Sequence, residues 1–381
     1  MKSSYSELGE IAEFINGAAF KLEDWGDVGS KIIRIQNLTD KTKPYNRTTR
    51  EINERLRVQP GDLLVSWSAS LGVFEWADTE IGLLNQHIFR VLPNYAKVDK
   101  RYLRFALELA LLEMRKHMHG ATTLHVNREA FLATKIYLPT LFEQRRIAAI
   151  LDRADALRAK RREALAQLDS LTQSIFIEMF GDPATNPKSW PSATLGDLII
   201  SASDGPHVSP AYAKTGIPFL STRHVRAGEI IWDDLKFLSP ESAVVQWKKC
   251  KPERGDILYS KGGTTGLAAA VTTDNEFAIW VHVALLKLNA AKVRTSWLES
   301  MLNTDYCYRQ SQNLTHGVAN RDLGLKRMVK IRMFEPPVSL QLEFERRRQS
   351  LRLIRIASAM ALTKLNALFA SLQHRAFRGE L

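Results

Sequence analysis

The sequence predicts an α+β protein in which two duplicated domains, each a mainly antiparallel sheet with helices, are separated by two long helices that pair as an antiparallel coiled coil. Three observations predict it. The chain repeats itself at an offset that drifts from 187 residues (Leu8 on Leu195) to 197 (Gln144 on Gln341). Two long stretches carry a narrow apolar stripe that alternates steps of three and four residues, the mark of helices paired along a seam. Short β-branched or aromatic runs bounded by turn residues recur in both repeats beside helical segments, as expected for α+β units.

A chain of 381 residues is too long for one ordinary core. The expected order is a domain at 1–142, a helix at 143–180, a domain at 181–339 and a helix at 340–381. The repeat carries this division. "GDLLVSWSASLG" from Gly61 matches "GDILYSKGGTTG" from Gly255. Leu8-Gly9-Glu10-Ile11 matches Leu195-Gly196-Asp197-Leu198, and Val126-Asn127-Arg128-Glu129 matches Ala319-Asn320-Arg321-Asp322. A drifting offset is what a duplicated domain shows when one copy gains loop residues.

Within each domain the elements follow from pattern. "KIIRIQNL", "DLLVSW" and "QHIFRVL" read as strands, and "VDKRYLRFALELALLEMRKHM" as a helix ending near Gly120. The second domain answers with "IPFLSTRHV", "DILYS", "IWVHVALLKL" and a helix near "TSWLESMLNTDYCYRQSQ". The Gly-Asp pairs at 61–62 and 255–256 read as structural turns feeding buried strands. His87 and His282 occupy equivalent positions and read as strand residues rather than metal ligands.

The long helices share a seam. Its predicted members are Ile147, Ile150, Leu157, Leu168, Leu171 and Ile175 on the first helix, and Leu351, Ile354, Leu365, Leu368 and Leu372 on the second. An ordinary core helix would show a broader apolar face and fewer turns. A parallel pair would need a long return connection, which a whole intervening domain could supply. The first helix ends in "FGDPATNPKSWP", where Gly181, Pro183, Pro187 and Pro191 prevent its continuation.

Composition bounds the function. Formal net charge is +12, from 53 Lys+Arg against 41 Asp+Glu. That excess favours a polyanionic partner, DNA or RNA first, although charge alone does not separate such binders from other basic proteins. Two cysteines, Cys250 and Cys307, give neither a disulfide framework nor zinc spacing and fit a reducing cytoplasm. No signal peptide is legible, and no apolar run approaches a membrane span. A cytoplasmic protein with no membrane partner is expected.

Polar stretches recur where a reader of double-stranded DNA needs them. The first domain offers Arg34 and Gln36, the loop serines Ser66, Ser68 and Ser70, and the run Thr122, Thr123, His125, Asn127 and Arg128. The second offers His207, Arg223, His224, the loop residues Lys261, Thr264 and Thr265, and Asn320 with Arg321. Arg and Lys suit guanine, Asn and Gln suit adenine, and Ser or Thr suit either. The Ser/Thr/Gly loops also read as plain hairpin turns, and neither fits a P-loop. No H-E-x-x-H, G-x-S-x-G, C-x-x-C or dinucleotide glycine fingerprint is present. The only Pro-Pro, Pro336-Pro337, lies outside any adenine-methyltransferase tetrapeptide. The expectation is a binder with no catalytic residue, metal or cofactor of its own.

Residues 138–183, "LPTLFEQRRIAAILDRADALRAKRREALAQLDSLTQSIFIEMFGDP", carry a resemblance. Leu138, Pro139, Glu143, Gln144, Ile147 and Phe180-Gly181-Asp182-Pro183 match the central region of specificity subunits of Type I restriction-modification systems. The end of the chain, "LFASLQHRAFRGEL", resembles that family's C-terminal region, so the likeness spans the chain. It implies two target recognition domains, each reading half of a bipartite, asymmetric DNA site, with the helices fixing the gap. It also implies partners: two methyltransferase subunits bringing S-adenosylmethionine for adenine methylation, and two restriction subunits using ATP and Mg. One departure stands out. The second helix opens on Leu340-Gln341 in place of Glu-Gln, which predicts an altered entry contact.

Overall fold

The computed structural model describes residues 5–116, 127–317 and 321–381. The chain divides into two compact units, Met1–Arg162 with Met360–Leu381, and Glu163–Ala359. The long helices span Leu141–Phe180 and Val338–Ala376, so each contributes residues to both units.

Unit 1 holds two four-stranded sheets. The first runs in the order Ala12–Asn16, Ile88–Pro93, Leu63–Ser66, Gly72–Glu75 and is wholly antiparallel. The second contains Arg47–Thr48, Ser30–Ile33, Gly82–Leu84 and Arg57–Val58, with a parallel pairing between its central strands. Phe14, Val65 and Phe89 of the first sheet pack with Tyr102, Phe105 and Ala106 of helix Lys100–Lys116. Ile147, Ala148 and Leu151 of the first long helix join this core, as do Phe369 and Ala376 of the second and Phe377 just after it. Each Val, Leu, Ile or Phe side chain among them contributes roughly 1.5–3 kcal/mol by leaving water. Arg146 donates to the Leu381 carbonyl at 2.7 Å while Arg158 donates to Asn366 at 2.9 Å, so the two helical segments of this unit run antiparallel.

Unit 2 repeats the plan. Its first sheet runs Ile199–Asp204, Val283–Leu288, Ile257–Ser260, Ala268–Ala270, again antiparallel. Its second contains Tyr212–Ala213, Lys236–Leu238, Ile217–Leu220 and Ala278–Ile279, again with one parallel pairing. Phe176, Met179 and Phe180 of the first long helix pack with Phe344 of the second and Trp297 in one core, where the Phe180 and Phe344 rings lie 5.5 Å apart.

The Gly-Asp turns are structural in both copies. Gly61 and Gly255 adopt φ of +86° and +96°, the left-handed region that glycine enters without strain. Gly61 N–H donates to Trp76 O at 2.7 Å and Gly255 N–H to Val271 O at 2.9 Å. Each aspartate then accepts a backbone N–H, Asp62 from Gln59 and Asp256 from Glu253, and pairs with a cation, Arg90 or Lys287.

Several expectations are corrected. The "KIIRIQNL" run is strand only to Ile33; Ile35–Thr39 is a short helix, because Asn37 is buried and accepts the Arg34 N–H while donating to Lys43 O and Pro44 O. The helix expected after Thr295 is two, Thr295–Leu302 and Asp305–Leu314, since the Thr304 hydroxyl caps the second. His87 and His282 lie in turns just before their strands, not within them. The entry contact of the second long helix is retained: Leu340 packs into the unit 2 core and Gln341 bonds as Gln144 does.

The predicted seam is also corrected. Ile147 is buried, and Ile150, Leu168, Ile175, Leu351, Leu365 and Leu372 are half-buried. Leu157, Leu171, Ile354 and Leu368 are exposed. The covered stripe also takes in Arg158, Leu165 and Thr172 on one helix and Ser358, Leu362 and Phe369 on the other. A straight α-helix advances at 3.6 residues per turn, so a strict 3.5 repeat drifts off the contact face within a few turns. The second long helix also holds an 18-residue window of mean hydropathy 1.4, long and apolar enough by composition to cross a membrane. Arg355, Lys364 and Asn366 interrupt the stretch, so it does not stand out as one continuous apolar run.

Candidate nucleic-acid interface

In unit 2 the structure gathers residues far apart in sequence around the loop that follows strand Ile257–Ser260. Lys261 is buried, and its ammonium lies 3.3 Å from Asp204 and 3.3 Å from Asp322. Asp204 also accepts from Lys249 at 2.6 Å and stands 3.8 Å from the His207 ring. Burial pushes the Asp204 carboxyl up, but the Lys249 and Lys261 ammonium groups outweigh it and hold its pKa below the usual range. Gly263 N–H donates to Arg321 O at 2.9 Å, and backbone bonds join His316 to Asp322 in both directions. Gly262 has no room for a side chain, since a Cβ there would meet His282 Nδ1 at 2.2 Å. The outcome is a surface presenting His207, Lys249, Thr264, His316 and Arg321, all exposed or half-exposed, above a buried charged base.

Not every expected residue faces outward. Lys261 is buried and paired, so as placed it supports the loop rather than reaching a base. Thr265 is buried beneath Gln312 and Thr315. His224 is buried, with Nδ1 accepting the Ser221 N–H at 2.8 Å, and burial lowers its pKa, keeping the ring neutral. Arg223 is exposed beside Asp234, 2.6 Å away. Lys249, Gln312 and His316 join the surface without having been anticipated. Lys249 reaches Asp204 across 45 positions, a separation that no local motif signals.

Unit 1 builds the equivalent place differently. At the Lys261 position stands Trp67, stacked on Phe89 at 5.6 Å, which stacks in turn on Phe131 at 6.0 Å. Arg128 is exposed, donates to Phe14 O at 3.3 Å and lies over the Phe89 ring. Ser68 and Ser70 lie at the loop surface, whereas Ser66 is buried and donates to Ser70 O. Asn127 caps helix Arg128–Leu132 by accepting from Glu129 and Ala130 N–H groups, which gives it a structural task. Arg34 follows strand Ser30–Ile33 of the other sheet and Gln36 lies in the short helix Ile35–Thr39 after it, with the Arg34 guanidinium 4.7 Å from the Trp25 ring centre. Thr122, Thr123, His125 and Asn320 lie outside the described residues.

Among the described residues no three His, Cys, Asp or Glu side chains come together as a metal site. Both cysteines are buried, and burial pushes the Cys307 thiol up to about 12, which leaves it unreactive near neutral pH. The arrangement offers hydrogen-bond donors, cations and two rigid platforms, the equipment of recognition.

Comparison with known proteins points the same way. Residues 2–167 match the Type I restriction modification DNA specificity domain. The EcoBI specificity subunit of a Type I restriction enzyme from Escherichia coli is 25% identical over 413 residues, covering 98% of this chain and 85% of its own. The crystal structure of a Type I restriction-modification S subunit from M. genitalium aligns with a TM-score of 0.56 at 14% identity, covering 99% of this chain and 96% of that one. A second structure, from work on complex assembly and conformational transition of the type I R-M system, gives 0.59 at 18% identity over 100% and 99% of the two chains.

Proposed function

We propose that the chain, which is similar along its length to the specificity subunits of Type I restriction-modification systems, is the DNA reader of such a complex. Each unit reads one half of a bipartite, asymmetric site, and the long helices set the gap between the halves. Two methyltransferase subunits dock on the helices and carry S-adenosylmethionine for adenine methylation. Two restriction subunits, with ATP and Mg, join through them. The chain performs no catalysis itself and works in the cytoplasm.

One observation carries this proposal. Two units of the same topology present different side chains at the same place, a Trp67–Phe89–Phe131 stack with Arg128 in one and a Lys261–Asp204 network with Arg321 in the other. Duplicated frames with unlike reading surfaces suit two unlike half-sites. Surface cations supply phosphate affinity, and side chains at the loops supply base choice. Exposed Leu353, Ile354 and Ile356 in unit 2, and Leu157, Met360 and Leu368 in unit 1, supply apolar surface of the kind a protein partner covers.

The test is binding of duplex DNA to the assembled complex across a salt series. Affinity that falls linearly in log salt is the expected result, and absence of affinity at low salt would sink the proposal. Calorimetry of the isolated chain with S-adenosylmethionine should show no binding; stoichiometric binding would assign it catalytic machinery.

A further inference from the structure

We propose that Lys261 is a positioning residue for recognition by unit 2. Its ammonium ties the end of strand Ile199–Asp204 to Asp322 and so fixes His207, Thr264 and Arg321 relative to one another. The inference rests on the proposed reading of DNA by this unit.

The backbone of Lys261 is already tied on two sides: its N–H donates to His282 O at 2.9 Å, and its carbonyl accepts the Leu323 N–H at 2.8 Å. Only the side chain reaches Asp204, 3.3 Å away, and it makes a second contact of 3.3 Å to Asp322. Three chain segments thus converge on one buried cation. His207 follows Asp204 by three residues, Thr264 follows Lys261 by three, and Arg321 adjoins Asp322, so each segment carries one exposed polar side chain. Asp322 is held further by Arg327 at 3.3 Å and by the Gly324 N–H at 2.9 Å, and Asp204 holds Lys249 at 2.6 Å.

Physical chemistry argues that this network is not chiefly a source of stability. Desolvating a lysine and a carboxylate costs about as much as their attraction returns, and apolar replacements of buried ion pairs are often neutral or stabilising. What such a network supplies is registry, because an ammonium with two carboxylate partners admits one arrangement of the segments that bear them. Unit 1 lacks it: Trp67 stands at the Lys261 position and Asn16 at the Asp204 position, with aromatic stacking in its place. The effect of losing the cation should therefore be confined to one half-site.

The experiment uses the assembled complex with its methyltransferase subunits, and duplexes carrying single base-pair changes in each half-site in turn. For Lys261→Met, discrimination in the half-site read by unit 2 is expected to fall at least tenfold. Discrimination in the other half-site and the salt dependence should stay as in the wild type. The triple variant Asp204→Asn, Lys261→Met, Asp322→Asn leaves no buried charge unpaired, and it should melt near the wild type yet show the same one-sided loss. Undiminished discrimination, an equal loss in both halves, or a salt slope reduced by about one would overturn the inference, the last by showing a direct phosphate contact. A triple variant that fails to fold assigns the network to stability and overturns it too. A wild-type complex blind to sequence in both halves would instead overturn the DNA-reading proposal itself.

Discussion

Gln144 and Gln341 make the same three hydrogen bonds, each at the start of its long helix. Gln144 accepts the Asp99 N–H at 2.8 Å and donates to Lys97 O at 3.0 Å and Pro139 O at 2.8 Å. Gln341 accepts the Arg294 N–H at 2.8 Å and donates to Lys292 O at 3.0 Å and Pro336 O at 2.8 Å. Both side chains are fully buried. Replacing either by Ala strands three backbone groups, at about 1–3 kcal/mol for each group left without water. Denaturant unfolding should show comparable losses for Gln144→Ala and Gln341→Ala; a loss in one alone would break the equivalence.

Burial assigns unequal costs along the long helices. Phe369 is 6% exposed beneath the Arg158 guanidinium, which sits 4.1 Å from its ring centre, and Phe369→Ala should cost about 3–5 kcal/mol. Leu157→Asp and Ile354→Asp, at 55% and 51% exposure, should change stability by no more than about 0.5 kcal/mol. If those faces receive partner subunits, both Asp variants will instead weaken assembly, which analytical ultracentrifugation of the complex measures.

The expected DNA-facing residues separate by exposure. Replacing Arg128 or Arg321 by Ala should weaken binding of the complex to its site by about 1–3 kcal/mol, if the contact is to a base. His207→Ala should also weaken it. Neutral, buried His224 is expected to leave site choice unchanged when replaced by Asn. Fluorescence titration with cognate and single-mismatch duplexes checks all four, and an effect of His224→Asn on base preference would reverse its assignment.

The Asp204 carboxyl has its folded pKa below the unfolded value of 3.8. A depressed carboxylate contributes stability that is fully present above the unfolded pKa and disappears as pH falls through the folded one. The stability difference between the wild type and Asp204→Asn should therefore be flat from pH 7 to about pH 5 and shrink below pH 4. Thermal melts across that range measure it; a difference that grows on acidification would contradict the assigned pairing.

The repeat, the Gly-Asp turns and both long helices were legible because each rests on local pattern: a left-handed glycine, an alternating strand, a stripe of helical period. Only some strands of the four-stranded sheets were legible, such as Leu63–Ser66 and Ile257–Ser260, and the sheets themselves were not, since Ser30–Ile33 pairing parallel with Gly82–Leu84 depends on closure across the chain. The stripe was readable and its phase was not: Leu157 and Arg158 differ by one step, and only packing decides which turns inward. At the candidate interface the types were legible and the roles were not. Lys261 looked like a surface cation until Asp204 and Asp322, distant in sequence, closed around it.

The most direct test of the central claim is a map of methylated adenines in a genome carrying this chain with its partner subunits. The expected map is one motif with two unlike halves separated by a fixed number of unspecified base pairs, and exchange of residues 181–339 for those of a relative should change one half only. A contiguous or palindromic motif, or an exchange that alters both halves together, would contradict it.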